Sequence, residues 1–186
     1  MRIKYNAPTV LTYAFISAAV LILSQTVFRN LTEYWFMVPG KGAFNPRSFR
    51  CWVTLITHAA GHANWTHLIS NFAFILLIGP ILEATYGSLS LFIMILITSL
   101  VTGALNAIFF RTALMGASGV VFMMILLASF TNFNKGEIPL TFILVLVLYL
   151  GRELFNSFSS NNISEFAHIV GGFCGSLFGF FKPPKR

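Results

Sequence analysis

The sequence contains no aspartate, and five glutamates are its only acidic residues. Charged residues of both signs make up 9% of the 186 positions, whereas 56% of the positions are hydrophobic. A water-soluble domain usually carries about 25% charged residues. Together with a mean hydropathy of +0.80, this shortage of charge excludes an ordinary soluble domain and indicates a membrane protein.

The chain has only two cysteines, Cys51 and Cys174. One lies in a predicted loop and the other in the middle of a predicted membrane span, so they differ too much in depth to pair. There is no Cys-x-x-Cys pair and no His-Glu-x-x-His motif, which are typical of thiol redox sites and of one class of zinc protease. We therefore predict no disulfide framework, no metal site and no cofactor.

Long apolar runs are abundant. A helix needs about 17 to 25 such residues to cross roughly 30 Å of hydrocarbon. The predicted spans cover residues 9–28, 66–83, 88–110, 114–131, 138–154 and 163–181. Only one connection is long, and no internal repeat is visible. The sequence thus predicts a single all-α, multi-pass membrane domain over residues 1–186.

The net charge of +7 is concentrated in part at the two ends of the chain. The terminal basic residues are Arg2, Lys4, Lys182, Lys185 and Arg186. Basic residues beside a span are usually retained on the cytoplasmic side, where they also attract anionic lipid. We therefore predict that both termini are cytoplasmic and that the partner of this charge is membrane lipid and not nucleic acid.

Polar residues stand near the start of three of the six spans. Because spans alternate in direction, the second, fourth and sixth all run the same way. His67 and Asn71 lie in the first turns of the second span, Ser118 about four residues into the fourth, and His168 about five residues into the sixth. At a rise of about 1.5 Å per residue, these side chains share one shallow depth. His67 and Asn71 are four positions apart, so they project from one helix face.

Such residues are costly in lipid and normally face a protein interior or a water-filled cavity. One interpretation is that they only join helices by hydrogen bonds. The other is catalytic: a serine hydroxyl needs a base to remove its proton, and Ser118 with His168 would form such a dyad. The Ser118 backbone N–H, His67 and Asn71 are then the candidate oxyanion donors. Glu165, three residues before His168, is an alternative third member, although a carboxylate in the first turn of a helix has a simpler role near its positive end.

Small residues recur every four positions along the sixth span and flank Ser118. They are Ala167, Gly171, Gly175 and Gly179 in the sixth span, and Gly116 and Gly119 beside the serine. A ridge of small residues lets two helix backbones approach closely. Close packing of the fourth and sixth spans would bring Ser118 within reach of His168.

The combination of these motifs resembles the rhomboid family of intramembrane serine proteases, in its small bacterial form with little more than a six-helix core. The resemblance rests on Thr57-His58-Ala59-Ala60-Gly61-His62, His67-Leu68-Ile69-Ser70-Asn71, the series Gly79, Glu83 and Gly87, Gly116-Ala117-Ser118-Gly119, and Ala167-His168-Ile169-Val170-Gly171 followed by Gly175. It runs from about Arg50 to the end of the sixth span.

The resemblance implies a fold and a set of roles. The fold would be a bundle of six transmembrane helices with a long first loop, residues 29–65, that lies partly in the membrane. The implied roles are nucleophile for Ser118, base for His168, oxyanion hole for His67 and Asn71, helix packing for Gly171 and Gly175, and a structural role at the opposite face for Glu83. The fifth span and the loop after it would form a movable gate.

The implied activity is cleavage of transmembrane segments of other membrane proteins, close to one face of the bilayer. The implied location is the inner membrane of a bacterial cell. Two alternatives belong to other classes. The histidines could instead bind a metal or haem, since His58 and His62 have helical i, i+4 spacing. The chain could also be a pseudoprotease that binds transmembrane helices without cutting them.

Overall fold

The computed structural model describes residues 2–131, 138–150 and 163–182, and the side chains of residues 149, 150 and 163–165 lie outside this description. The helices are α1 Pro8–Thr26, α2 Leu31–Trp35, α3 Phe49–Thr57, α4 Trp65–Tyr86, α5 Ser88–Phe109, α6 Ser118–Ala128, α7 Leu140–Val145 and α8 Ile163–Phe181. A 3₁₀ turn, His58–Ala60, follows α3, and a π-helical segment, Leu146–Leu150, continues α7. The described residues are therefore mainly helical, as the composition predicts.

Three of these helices, α1, α4 and α5, are long and apolar enough to cross a membrane. Two shorter helical stretches are also apolar, α6 and the part of α8 from Phe166 to Phe181. The all-helical, membrane-spanning character predicted from the sequence is confirmed, whereas the count of six spans stays a prediction. In the fourth predicted span the helix begins at Ser118 and not at residue 114. Leu114 itself lies outside the helix and forms an antiparallel bridge with Val38.

The connection between α1 and α4 is largely structured. It contains α2, α3 and the 3₁₀ turn. In α3, Cys51 and Leu55 face inwards, while the rings of Phe49 and Trp52 are exposed. Exposed aromatic rings on an amphipathic helix suit the membrane interface. The partly embedded position predicted for this connection remains a prediction that these side chains favour.

Helix α6 is at the centre of the bundle. Each residue from Gly119 to Leu127 is buried, which is expected of a helix that is apolar on all sides. Helix α8 packs against it through glycines: a Cβ atom added at Gly171 or Gly175 would overlap the backbone carbonyl of Gly119 or Met123. The two backbones are therefore in direct contact, which is the close approach expected from the spacing of the small residues.

Glu83 joins α4 to the beginning of α1. One carboxylate oxygen accepts the backbone N–H of Thr9 at 2.9 Å and the other accepts that of Val10 at 3.0 Å. Glu83 is buried, and Val10 packs where Gly79 has no side chain. A helix leaves its first N–H groups without internal partners and its N-terminus partly positive, so a carboxylate satisfies both requirements. This contact lies about 24 Å from His67 along α4, at 1.5 Å per residue.

We expect Glu83→Gln to lower the free energy of unfolding by about 2 kcal/mol, because an amide provides one acceptor oxygen for two N–H groups and removes a charged partner. Unfolding in detergent micelles measures the change. Glu33, an exposed glutamate in α2, provides the control, and Glu33→Gln should change stability by less than about 0.5 kcal/mol. Equal effects of the two substitutions would contradict the role given to Glu83.

His58 connects the 3₁₀ turn to α5 and to the residues before α6. Its ring Nε2–H donates to the Ser99 carbonyl at 3.0 Å, and its own carbonyl accepts the backbone N–H of Gly116 at 3.0 Å. Nearby His62 has its ring Nδ1 3.3 Å from the Ala60 carbonyl oxygen. Burial lowers the pKa of each of these two histidines to about 4. Both are therefore neutral at pH 7 in the folded chain.

These two histidines should make the fold sensitive to acid. Their pKa is about 6.5 in an unfolded chain, so between that value and about 4 the unfolded state binds more protons. The free energy of unfolding should therefore fall as the pH falls through this range. At higher pH these two histidines should no longer change it. Unfolding measured from pH 7 to pH 4 should show a shallower loss in the His58→Gln/His62→Gln variant, and an unchanged slope would contradict this assignment.

Candidate active site

The residues before α6 determine where the serine stands. The backbone N–H of Val38 donates to the Leu114 carbonyl at 2.9 Å, and the Leu114 N–H donates to the Val38 carbonyl at 3.0 Å. Gly116 follows with a φ of +125°, a conformation that favours glycine. Ser118 is then the first residue of α6, so its N–H has no partner within the helix.

Ser118 opens onto a cavity of about 350 Å³. The lining residues are His67, Ser70 and Asn71 of α4, Ala113, Leu114 and Met115 before α6, Ser118 itself and His168 of α8. The four polar residues that the sequence placed at one depth thus line one cavity, and three helices contribute them.

The His168 ring lies against α6. It stacks on Phe122 with ring centroids 4.2 Å apart and planes 8° apart. Phe122 follows Ser118 by four residues, so the two project from the same face of α6. Beside this stack, a Cβ at Gly119 would be 3.2 Å from the Ala167 carbonyl oxygen. The tight backbone contact of α6 with α8 therefore lies immediately next to both Ser118 and His168.

His67 and Asn71 are positioned by the beginning of α4. The Asn64 side chain caps this helix by accepting the His67 backbone N–H at 2.8 Å. The Asn71 amide donates to the His67 carbonyl at 3.0 Å. The His67 ring occupies the space beside Gly116, where a Cβ would come within 2.7 Å of the ring Nε2. A glycine is therefore required at Gly116, because the backbone has a positive φ there and because the His67 ring leaves no room for a side chain.

The other histidines do not line the cavity. His58 is engaged by Ser99, and the His62 ring contacts the His67 ring edge to face at 5.0 Å. Among the described residues, no group of three histidine, cysteine or acidic side chains is placed to hold a metal. Glu165, the alternative third member, and the gate loop after the fifth span fall outside the described side chains.

Four lining residues were not predicted from the sequence: Ser70, Ala113, Leu114 and Met115. Ser70 lies beside Asn71, and its hydroxyl donates to the Thr66 carbonyl at 2.8 Å. The other three belong to the segment just before α6. Their closeness to Ser118 in the sequence was the only signal that could have pointed to them.

Comparison with known proteins gives consistent results. The model of the Rhomboid domain matches residues 50–185. Rhomboid protease GlpG of Haemophilus influenzae is 23% identical over 170 residues, which cover 90% of this chain and 86% of that protein. Rhomboid-like protein 11, chloroplastic, of Arabidopsis thaliana is 26% identical over 155 residues, covering 82% of this chain and 52% of the plant protein. The family match extends over well more than half of the sequence, and the helices described above are apolar enough to span a bilayer. The chain is an integral membrane protein and belongs to the rhomboid family.

Proposed function

We propose that the chain is an intramembrane serine endopeptidase in which Ser118 is the nucleophile and His168 the general base. One observation carries the proposal. Ser118 and His168 line a single polar cavity and stand on two helices, α6 and α8, whose backbones touch beside them. Matches to a rhomboid protease and to plant rhomboid-like proteins support the same class of activity.

In the proposed reaction His168 accepts the hydroxyl proton while Ser118 Oγ attacks the carbonyl carbon of the scissile peptide. The imidazolium then gives this proton to the leaving amine. A water molecule, deprotonated by the same imidazole, hydrolyses the acyl-enzyme ester and restores Ser118. Among the residues whose side chains the structure describes, none that lines the cavity has a carboxylate. The stacked Phe122 ring, which holds the imidazole plane in one orientation, takes over the positioning that a carboxylate usually provides.

The negative charge that develops on the substrate oxygen needs hydrogen-bond donors. The Ser118 N–H belongs to the positive end of α6, which is suited to an anion. Asn71 uses one amide hydrogen on the His67 carbonyl and keeps a second one. The His67 ring lines the same cavity. We assign these three groups as the oxyanion hole.

The segment before α6 suggests how a substrate binds. Leu114 uses both of its backbone groups on Val38. In an extended chain the neighbouring residues point their backbone groups to the opposite side, and Ala113 and Met115 line the cavity there. A substrate in extended form would hydrogen-bond to them. A transmembrane helix must unwind locally to do so, which favours substrate segments with helix-breaking or small residues near the membrane face.

Contacts at the opposite end of the bundle support the proposed topology. The Thr9 hydroxyl donates to the Ser88 carbonyl at 3.0 Å, and the Lys182 ammonium donates to the Ser90 hydroxyl at 2.6 Å. The start of α1 and the end of α8 therefore lie at one face, beside the start of α5. Because basic residues favour the cytoplasmic side, we assign this face to the cytoplasm of a bacterial cell and the catalytic cavity to the other side of the inner membrane.

Ser118→Ala and His168→Ala should each abolish cleavage of a transmembrane substrate reconstituted in vesicles, because each removes one half of the dyad. The double variant should be little slower than either single one, since the residues act as a unit. Ser70→Ala is the matched control, because Ser70 lines the same cavity but its hydroxyl is bound to Thr66.

Labelling by a fluorophosphonate separates a protease from a pseudoprotease. Wild type and Ser70→Ala should be labelled, whereas Ser118→Ala should not. Full cleavage by Ser118→Ala, or labelling that persists in it, would refute the assignment of the nucleophile.

His67→Ala and Asn71→Ala should each lower kcat by no more than about 10² to 10³, the usual cost of losing one oxyanion donor. Their KM should change less, because these hydrogen bonds strengthen only as the oxyanion forms. A chelator should leave the rate of wild type unaltered. Chelator inhibition that added zinc reverses would instead identify a metal site in α4.

A further inference from the structure

A second cavity, of about 490 Å³, shares no residue with the catalytic one. One wall is the first half of α1, from Pro8 to Ile16, and the other is the stretch of α5 from Phe92 to Ser99. The remaining lining residues are Phe36, Ile56, Thr57, Ala59 and Ala60. The cavity is therefore a groove between two membrane-spanning helices.

The groove has an apolar wall because its hydroxyl groups are already bound. Tyr13 donates to the Ala59 carbonyl at 2.7 Å, and Ser99 donates to the Ile95 carbonyl at 2.8 Å. The Thr57 hydroxyl likewise has the Trp35 and Val53 carbonyl oxygens within hydrogen-bond distance for its one hydrogen. Water that entered would find few partners, and an apolar cavity of this size does not hold water well. A hydrocarbon ligand suits this wall.

The groove is open sideways to the surroundings of α1 and α5. Ile16 is 50% exposed and Phe92 is 48% exposed along its rim. In a bilayer these side chains meet lipid tails and not water. The available ligand of matching chemistry is consequently an acyl chain, entering from the leaflet at which α1 and α5 begin.

A basic residue lies near the mouth of the groove at that face. The Tyr5 hydroxyl is 2.9 Å from that of Thr12, a lining residue, so Lys4, next to Tyr5, lies close to the mouth. Lys182 is bound to Ser90, which projects from the opposite side of α5 to the groove-lining Phe92 and Leu96. Glu83, the acidic residue described at this face, is buried and fully used by the N-terminus of α1. The mouth therefore favours an anionic headgroup.

We propose that this groove binds one acyl chain of an anionic phospholipid, whose headgroup is held by Lys4. The inference goes beyond proteolysis and does not depend on it. The occupant would contact the turn His58–Ala60, where the His58 carbonyl holds Gly116 just before the serine. A ligand that binds only the folded state stabilises that state. A bound lipid would thus stabilise the turn that supports the start of α6.

The test uses the purified full chain in phosphatidylcholine vesicles that contain phosphatidylglycerol with a photoreactive diazirine in its acyl chain. After illumination, cross-linked peptides should come mainly from residues 8–16 and 92–99, and less from the exposed face of α4. Uniform labelling of all exposed helix faces would overturn the groove, because it would indicate an ordinary lipid annulus.

A matched pair of variants tests occupancy. Ile16 and Ile22 are both in α1 and are similarly exposed, at 50% and 47%, but only Ile16 lines the groove. Ile16→Trp should fill the groove and strongly reduce cross-linking there, while Ile22→Trp should not. Equal labelling of both variants would contradict binding in the groove, and thermal unfolding of each variant identifies one that fails to fold.

Headgroup selection is tested by competition with unlabelled phosphatidylglycerol or phosphatidylcholine. In wild type phosphatidylglycerol should compete better, and Lys4→Gln should lower its advantage about fivefold, the effect of one basic residue at an anionic surface. Lys41→Gln, in the connection between α1 and α4, should have no effect. Equal competition by the two lipids in wild type would overturn the anionic assignment.

Discussion

The direct backbone contact between α6 and α8 is the constraint on which the candidate site depends. In lipid, helices gain little from burying apolar side chains against each other, so close packing of small residues is what holds them together. Gly119 touches Gly171 at the level of the site, and the next turn repeats the contact between Met123 and Gly175. Since Ser118 adjoins this contact on one helix and His168 lies close to it on the other, the separation of their side chains is set by main-chain geometry.

The start of α6 is likewise fixed by backbone groups. The Leu114 bridge to Val38 and the His58 carbonyl bound to Gly116 hold the chain just before the serine. Both partners belong to the long connection that follows α1, which contributes no side chain to the catalytic cavity. This connection acts as a support for the site. Its buried histidines remain neutral because burial keeps their pKa low, and this makes the support sensitive to acid.

Much of the site follows from the sequence, because the rise of a helix and the alternation of spans are enough to place His67, Ser118 and His168 at one depth. Other features could not be predicted. Residue 114 was expected inside the fourth span, but its pairing with Val38 is a long-range backbone contact without a sequence signature. Glu83 was expected to have a structural role at the opposite face, but its partners, the N–H groups at the start of α1, belong to a distant part of the chain and had no sequence signature. The fifth predicted span, 138–154, coincides only with α7 and its π-helical continuation, and the residues after 150 lie outside the described chain.

The stack of His168 on Phe122 has an electrostatic consequence. A phenyl ring presents a negative face, and a cation above that face is attracted to its quadrupole. In the proposed reaction the imidazole becomes an imidazolium when it takes the serine proton, and the ring planes, 8° apart, keep this cation over the phenyl face. The attraction is absent while the imidazole is neutral, so it favours the charged intermediate over the resting state. In the proposed reaction the quadrupole of a neutral ring would thereby stabilise the imidazolium without a second ionised group.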